Sequence, residues 1–354
     1  MCVFMRTILW DDRSCELRMI DQRALPARLE YVLCQTANQV AEAISNMTVR
    51  GAPAIGVAAA FGVALSGLQS KAANVADWRA DVLKAARLLQ ASRPTAVNLA
   101  RGVERLLRIA EQDKPLASLR ELLLNDAQKM ADEDVAINRR MSEVGSALIM
   151  DGDTIIHHCN TGSLATVEWG TALGVIRLAH EQGKRLFVLV DETRPRLQGA
   201  RLTAWELQQY GIPYTIISDG AAGYFLQTGQ AQKVLFGADR VAANGDVANK
   251  IGTYMLALAA HSNGVPVYPV VPSSSVDLSL ASGNLIPIEE RDPGEVLHIE
   301  VNGEEVMPSG ATARNPAFDV TPHACLNAIV TEKGIVYPPF TDNLPRILRA
   351  EISE

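Results

Sequence analysis

Hydrophobic and polar residues alternate in two short runs near the start of the chain, after which apolar positions recur at helical spacing. The alternating runs cover residues 7–10 and 16–20, and the residues between them include the turn-forming sequence Asp-Asp-Arg-Ser. This pattern predicts a small β hairpin. Apolar residues from 29 to 44 then follow a helical stripe, so the sequence predicts that a helix begins near residue 29.

An uncharged run follows at residues 51–70, and its length would be enough to cross a bilayer. Six of its residues are alanine and four are glycine. Because these small side chains gain little from lipid but allow close backbone packing, we interpret the run as a buried core helix. Further helices are predicted over residues 76–91, 94–111 and 116–150.

Residues 153–271 have a different pattern, in which short β-rich runs alternate with helical stretches. The predicted strands cover residues 154–158, 186–190, 214–218, 234–237 and 265–271, and the predicted helices between them cover residues 164–181, 199–210, 221–228 and 250–261. The alternation predicts an α/β fold: a C-terminal Rossmann-like parallel sheet with helices on both faces, preceded by a mainly helical N-terminal domain with a small β hairpin or sheet. We expect two domains, residues 1–130 and 131–354, with the boundary inside the helical stretch 116–150.

Composition and charge narrow the classes of function. The formal net charge is −7 and no basic stripe is present, so a nucleic-acid backbone is not an expected partner. The five cysteines lie far apart without a CxxC pair, which argues against a disulfide framework or a zinc knuckle. Seven carboxylates lie between residues 283 and 306, and we interpret them as a solvated acidic face instead of a metal site.

In parallel α/β sheets the functional groups follow the carboxyl ends of the strands, and the first predicted strand ends at His158 and Cys159. A thiol placed just before a helix faces free N–H groups and the positive end of the helix dipole, which favour the thiolate. A buried, unreactive cysteine is the alternative. The residues alone leave both interpretations of Cys159 open.

Polar residues also follow the second and fourth predicted strands. Residues 191–199 contain two arginines, Gln198 and a glycine, which could hold a phosphate or sugar hydroxyls, or the arginines could pair with carboxylates and lock the loop. Asp239 follows an apolar run, where burial favours the protonated form that a general acid needs, although an aspartate that braces a turn also fits. Asn249 is predicted to cap the next helix, with Lys250 as a cation beside its free N–H groups.

Two arginines in the N-terminal part come just before prolines that could open helices. Arg50 is followed by Gly51, Ala52 and a proline, and Arg93 is followed directly by a proline. Small residues let a ligand approach the backbone and arginine supplies charge, but a surface position is the alternative for either arginine. The chain contains no GxxxxGK[ST] loop, GxGxxG turn or HExxH helix, so the motifs do not support nucleotide hydrolysis, dinucleotide redox or zinc peptidase chemistry.

Five segments together resemble one family. They are RGAPAIG at residues 50–56, HCNTG at 158–162, DETRPRLQG at 191–199, GADR at 237–240 and NKIGT at 249–253. In these segments and their order, the chain is similar to the methylthioribose-1-phosphate isomerases, methionine-salvage enzymes related to the regulatory subunits of translation initiation factor 2B. The resemblance extends from residue 6 to residue 322.

The resemblance implies catalytic roles for Cys159 and Asp239. It also implies substrate contacts from Arg50, Gly51, Ala52, Arg93, Gln198, Asn249 and Lys250. The reaction it implies is the isomerisation of 5-methylthio-α-D-ribose 1-phosphate to 5-methylthio-D-ribulose 1-phosphate, with acid-assisted ring opening and hydrogen transfer from C2 to C1. It further implies a cytoplasmic homodimer that requires no metal, and we expect no other cofactor. From the charge and from the small residues of 51–70, we expect neither nucleic acid nor membrane as a partner. A ribose 1,5-bisphosphate isomerase and a non-catalytic subunit like those of initiation factor 2B are the alternatives.

Overall fold

The computed structural model describes residues 6–94 and 96–349, and the chain separates into two compact units. The first unit contains the chain up to Arg139 and the segment Thr161–Gly170, and the second contains Arg140–Asn160 and the chain from Thr171 onward. The division falls within the predicted helical stretch 116–150. The expected domain boundary between residues 130 and 131 stays a prediction.

The first unit begins with a small antiparallel sheet. Strands β1 (Ile8–Asp11) and β2 (Glu16–Ile20) pair as the predicted hairpin, and β3 (Tyr31–Cys34) pairs with the other edge of β2. The helix predicted to begin near residue 29 is therefore wrong in its first part, because the β-prone residues of β3 complete the hydrogen bonds of β2. The helix itself, α1 (Ala37–Ser45), begins only after Thr36, whose side chain caps it.

Four further helices follow: α2 (Ala52–Gln69), α3 (Val75–Ser92), α4 (Val97–Ala110) and α5 (Leu116–Ser146). Helix α2 is long and apolar enough to cross a membrane, yet 72% of it is buried inside the protein, as predicted for a core helix. Its small residues allow α4 to pack closely, since a Cβ on Gly102 would lie 2.3 Å from the carbonyl oxygen of Gly56.

The second unit continues the chain as α/β structure. Its strands are β4 (Thr154–His157), β5 (Phe187–Asp191), β6 (Tyr214–Ile217), β7 (Lys233–Phe236), β8 (Arg240–Ala242), β9 (Val247–Lys250), β10 (Val267–Pro269), β11 (Val276–Asp277), β12 (Glu300–Val301), β13 (Glu304–Glu305), β14 (Phe318–Thr321), β15 (Ile329–Thr331) and β16 (Gly334–Val336). Its helices are α6 (Ala172–Glu181), α7 (Ala204–Tyr210), α8 (Ala222–Gln227), α9 (Thr253–Ser262), α10 (Gly294–Leu297) and α11 (Phe340–Arg349), with a π-helical turn, Gly199–Thr203, leading into α7.

Five of these strands form the predicted parallel sheet, in the order β10-β7-β4-β5-β6. From β4 the chain builds outward through β5 to β6 and then returns to the other side of β4 to build β7 and β10. Because crossovers between parallel strands are right-handed, this reversal places helices on both faces of the sheet. The point of reversal lies between β4 and β7, where open α/β sheets bind their ligands.

The helix predicted over residues 164–181 is wrong in its first half. Helix α6 begins at Ala172, and the preceding segment, Thr161–Gly170, belongs to the first unit. There the side chains of Thr7 and Gln22 donate hydrogen bonds to two of its backbone carbonyls, at 2.6 and 2.7 Å. A helix would need those carbonyls for its own ladder, so these contacts replace it.

A second sheet joins β11, β8, β9 and β14 in that order, with β9 antiparallel to both of its neighbours. The acidic stretch predicted to be solvated lies in the chain between two strands of this sheet, β11 and β14. Five of its seven carboxylates are exposed, namely Glu290, Asp292, Glu300, Glu304 and Glu305. This exposure agrees with the interpretation of the stretch as a solvated face.

Candidate functional site

The backbone holds Cys159 in a specific geometry just beyond the end of β4. Its φ is +68°, an uncommon value for a residue other than glycine, and only 7% of the residue is exposed. Its N–H donates to Oγ1 of Thr193 at 3.0 Å, and its carbonyl oxygen accepts from Oγ1 of Thr203 at 2.8 Å. Two threonines from the next strand-to-helix connection therefore maintain a strained backbone, a feature that clusters at functional sites.

Gln198 touches the sulfur of Cys159 directly. Its Nε2 donates to Sγ at 3.4 Å, and the side chain is almost completely buried. Within the part of the chain that the structure describes, Oε1 of Gln198 has no hydrogen-bond partner. The amide can thus stabilise negative charge on the sulfur while its oxygen is left to accept from a ligand. Two predicted site residues, one catalytic and one substrate-binding, are brought into contact here.

The neighbouring His158 is fully buried and is held at both ring nitrogens. Nδ1 lies 2.8 Å from Oδ2 of Asp191, and Nε2 lies 3.0 Å from the carbonyl oxygen of Ile251. Burial alone lowers the pKa of His158, but the hydrogen bond and the charge of Asp191 raise it to about 9. Burial raises the pKa of Asp191 to about 6 despite its hydrogen bond with His158. The pair therefore favours a protonated ring beside an ionised carboxylate at neutral pH.

Among the described residues, one group of side chains has the spacing of metal ligands: His158, Asp191 and Asp219, whose ligand atoms lie within 4.8 Å of one another. Both oxygens of Asp219 already accept backbone N–H groups, from Thr193 at 2.7 Å and from Arg194 at 2.8 Å. Nδ1 of His158 is likewise engaged by Asp191. We interpret the group as support for the loop after β5, not as a metal centre.

Asp239 and the Asn249-Lys250 pair lie on adjacent segments of the second unit. Asp239 follows β7, is half-buried, and donates its N–H to the carbonyl oxygen of Ala248 on β9 at 2.9 Å. Asn249 is buried and its Nδ2 donates to Oγ1 of Thr253 at 3.0 Å. Nζ of Lys250 donates to the carbonyl oxygen of Ala317 at 2.8 Å. The predicted acid thus lies beside β9, the strand that carries the two predicted binding residues.

The prediction that Asn249 caps helix α9 is wrong. Asn249 lies within β9, where its backbone pairs with β14. The residue before the helix is Gly252, with φ of +101°. The carboxylate of Asp319, on β14, accepts the N–H groups of Gly252 at 2.7 Å and Tyr254 at 3.0 Å. A neighbouring strand therefore supplies the cap that the local sequence was expected to supply.

The first unit holds four predicted site residues around the start of α2: Arg50, Gly51, Ala52 and Arg93. Gly51 has φ of +99°, and a Cβ there would lie 2.4 Å from the carbonyl oxygen of Ala165, so only glycine fits. Nη1 of Arg93 lies 3.8 Å from Sδ of Met47, in the loop that leads to Arg50. Arg93 follows the end of α3 and lies near the start of α2 through this contact, whereas the sequence placed it before a separate helix.

The two arginines after β5 lock their loop. Nη1 of Arg196 pairs with Glu295 at 2.8 Å, and Nη2 of Arg194 donates to the carbonyl oxygen of Val296 at 3.1 Å. Of the two interpretations of residues 191–199, these contacts favour the structural one for both arginines. Gln198 is the residue of this loop that reaches Cys159.

The sequence interpretation assigned no role to His158, Asp191 or Asp319. The first two stand inside the quoted motifs, and a histidine beside a cysteine at a strand end was the available signal. Nothing local marked Asp319 as a cap, because it lies 67 residues from the N–H group of Gly252 that it accepts.

Comparison with known proteins gives these residues a context. Residues 48–338 match the model of the Initiation factor 2 subunit family. A methylthioribose-1-phosphate isomerase from Synechococcus sp. is 53% identical over 344 residues, which cover 97% of this chain and 98% of the relative. The crystal structure of 5-methylthioribose 1-phosphate isomerase from Pyrococcus horikoshii OT3 is 44% identical, with a TM-score of 0.92, and covers 99% of this chain and 97% of its own. A crystal structure described as translation initiation factor eIF-2B, subunit delta, from A. fulgidus is 42% identical, with a TM-score of 0.88, and covers 98% of this chain and 100% of its own.

Proposed function

The chain belongs to the methylthioribose-1-phosphate isomerase family, within the initiation factor 2 subunit family, and on this basis we propose that it isomerises 5-methylthio-α-D-ribose 1-phosphate to 5-methylthio-D-ribulose 1-phosphate. The reaction is an internal oxidation and reduction, since C2 becomes a ketone while C1 gains hydrogen. It therefore needs no external oxidant or reductant. In the cell it serves methionine salvage.

The positions of Cys159 and Asp239 carry this proposal. Cys159 follows β4 and Asp239 follows β7, and these strands are parallel neighbours with Ile156 aligned on Val234. The chain reverses its direction of winding between the same two strands. Since ligands of open α/β sheets bind at this point, both side chains are well placed to reach one substrate.

Ring opening is the first chemical requirement. The anomeric oxygen of the substrate carries phosphate, so the furanose cannot open by the hemiacetal exchange available to a free aldose. A proton must be delivered to the ring oxygen, and we assign this general-acid role to Asp239. Such catalysis typically contributes about 10²- to 10⁴-fold in rate.

Hydrogen then moves from C2 to C1, and Cys159 is assigned to this step. As a thiolate it would remove the C2 proton and return it to C1, or it would stabilise a direct hydride shift between the two carbons. The hydrogen bond from Gln198 to the sulfur suits either route. Reaction in deuterated water tests the first route, because deuterium at C1 of the product requires exchange of the abstracted proton with solvent.

An assay with two substrates tests the function. The purified full-length chain is incubated with methylthioribose 1-phosphate and, separately, with ribose 1,5-bisphosphate, and the ketose product is measured by NMR. We expect turnover of the first substrate. Ketose from ribose 1,5-bisphosphate alone would instead assign that isomerase activity.

The catalytic assignments are tested with Cys159→Ser and Asp239→Asn, each of which should lower kcat by at least about 10²-fold. Cys325→Ser is a matched control, since Cys325 is also a buried cysteine of the second unit and is 7% exposed, as Cys159 is. The control should keep its kcat. Wild-type kcat in either catalytic variant would refute the role assigned to that residue.

Substrate contacts are proposed for Arg50, Gly51, Ala52, Arg93, Gln198, Asn249 and Lys250. Arg93→Ala and Lys250→Ala should each raise KM by about 10-fold or more, as expected when a charged hydrogen bond to phosphate is removed. Arg87→Ala serves as the control, since Arg87 is an exposed arginine on α3, the helix that directly precedes Arg93. Unchanged KM in both variants would remove the anion-binding assignment.

A non-catalytic role is the second candidate, supported by the likeness to the A. fulgidus protein described as an initiation-factor subunit. A subunit of that kind has no need for the Cys159 and Gln198 contact. Absence of turnover with both sugar phosphates would favour this candidate.

We also propose that the enzyme is a cytoplasmic homodimer that binds neither nucleic acid nor membrane and requires no metal. Light scattering coupled to size-exclusion chromatography measures the assembly. Activity after chelation measures the metal requirement.

A further inference from the structure

The ring of His158 bonds to two acceptors at once. One is the carboxylate of Asp191 and the other is the carbonyl oxygen of Ile251. A carbonyl oxygen only accepts, so Nε2 must carry a proton. A neutral imidazole has a single N–H group, and therefore the bond at Nδ1 requires one more proton, shared between the ring and Asp191.

We propose that His158 is a positioning residue of the isomerisation, held as an imidazolium between Asp191 and the carbonyl group of Ile251. The inference rests on the proposed function. It adds a residue that acts through Cys159 without touching the substrate, and that keeps its proton throughout the reaction.

The two hydrogen bonds join three segments that carry proposed site residues. His158 itself precedes Cys159, Asp191 begins the loop that leads to Gln198, and Ile251 directly follows β9. The fit is close, because a Cβ on Gly252 would lie 2.9 Å from Cε1 of the ring. If the imidazolium lost one of its two protons, the ring would keep a single N–H group, and its hydrogen bond to either Asp191 or Ile251 would be lost.

The charge of the ring also matters for Cys159. The titratable groups that act on His158 or respond to it are Asp191 on β5, Asp219 after β6, Asp319 on β14, and its chain neighbours His157 and Cys159. Three are carboxylates, and burial lowers the pKa of His157 to about 3, so His157 is neutral. The positive charge of His158 therefore has no cationic competitor among these groups, and it would stabilise negative charge that develops on the sulfur of Cys159 during hydrogen transfer.

NMR spectroscopy of the full-length protein with ¹⁵N-labelled histidine tests the protonation state. We expect both ring nitrogens of His158 to show a one-bond coupling to a proton at neutral pH, with assignment from the spectrum of His158→Gln. A neutral ring, with a single coupling, would overturn the proposal. The measurement does not depend on activity, so it stands even if the chain fails to isomerise the substrate.

Kinetics test the positioning role. Glutamine can still donate to one acceptor but carries no charge, so His158→Gln should lower kcat by about 10- to 100-fold and change KM by less than about threefold. In the wild type, kcat/KM should fall above about pH 9, where His158 loses its proton, and the variant should lack this decline.

His157→Gln is the matched control, since its ring is equally buried, in the preceding residue at the end of β4, and is neutral. Like His158→Gln, this control should lose stability. It should keep kcat within about threefold of the wild type, and its kcat/KM should still fall above about pH 9. Wild-type kcat in His158→Gln, or equal loss in both variants, would overturn the proposal. If His158→Gln does not fold, the pH profile of the wild type decides: a decline of kcat/KM above about pH 9 supports the proposal, and its absence would overturn it. An inactive wild type with a doubly protonated ring would refute the proposed function and leave the imidazolium in place.

Discussion

Gly199→Ala should disturb the Cys159 loop without touching Cys159. Gly199 lies where the chain turns into the π-helical segment, and its φ is ordinary, so alanine is not excluded by backbone conformation. The obstacle is space. A Cβ on Gly199 would lie 1.8 Å from the carbonyl oxygen of Asp191 and 2.8 Å from Oγ1 of Thr193.

The displacement follows from these distances. Contacts of Cβ below 3.0 Å are essentially never seen, so the two backbone segments must separate by at least about 1.2 Å, from 1.8 to 3.0 Å. Overpacking of a buried site typically costs about 1 to 3 kcal/mol, and we expect the upper end because the obstacle is backbone. Thr193 accepts the N–H of Cys159, so the thiol moves too. A misplacement of about 1 Å can cost about 100-fold in rate.

Urea unfolding and steady-state kinetics measure the two effects. The control is Gly223→Ala in helix α8, where a Cβ would meet nothing within 4 Å. Alanine in a helix is favoured over glycine by about 0.5 to 1 kcal/mol, so the control should be neutral or more stable and fully active. If Gly199→Ala matches the control in stability and kcat, the packing argument is refuted.

Three further predictions concern stability, each measured by urea unfolding. Because folding raises the pKa of His158 from 6.5 to about 9, the contribution of His158 to the free energy of unfolding is complete below pH 6.5 and lost as pH rises to about 9. The loss is at most about 3.5 kcal/mol at about 1.4 kcal/mol per pH unit, and His158→Gln should remove it. Thr36→Ala removes the capping box with Gln39 and should cost about 1 kcal/mol, whereas no change would mean that the cap contributes nothing. Asp153→Leu leaves Lys233 buried without the carboxylate that lies 2.5 Å from it, and should lower the free energy of unfolding by about 3 to 5 kcal/mol. The double variant Asp153→Leu/Lys233→Met should lose less, because it leaves no buried charge unpaired; a greater loss in the double variant would contradict this reasoning.

Local patterns were sufficient where an element's stability comes from its own residues and immediate neighbours. The alternation of residues 16–20 predicted β2, and the small residues of 51–70 predicted that α2 is a core helix. The repeated strand and helix pattern predicted the parallel sheet, and hence the strand ends at which Cys159 and Asp239 stand. Each of these predictions depends on hydrophobic spacing, which can be identified from the sequence without knowledge of distant contacts.

The sequence by itself determined the class of fold, the family and the identity of the candidate site residues. Only the tertiary structure decided that β3 is a strand and that residues 161–170 belong to the first unit, although the chain on either side of them belongs to the second. It decided that Asp319 caps α9 in place of Asn249. It also decided that His158 bonds Asp191 and Ile251 simultaneously. In each case the deciding hydrogen bond comes from a part of the chain that spacing cannot associate with it. A backbone group accepts whichever partner the fold brings within reach, and a neighbour in sequence has no priority over a neighbour in space.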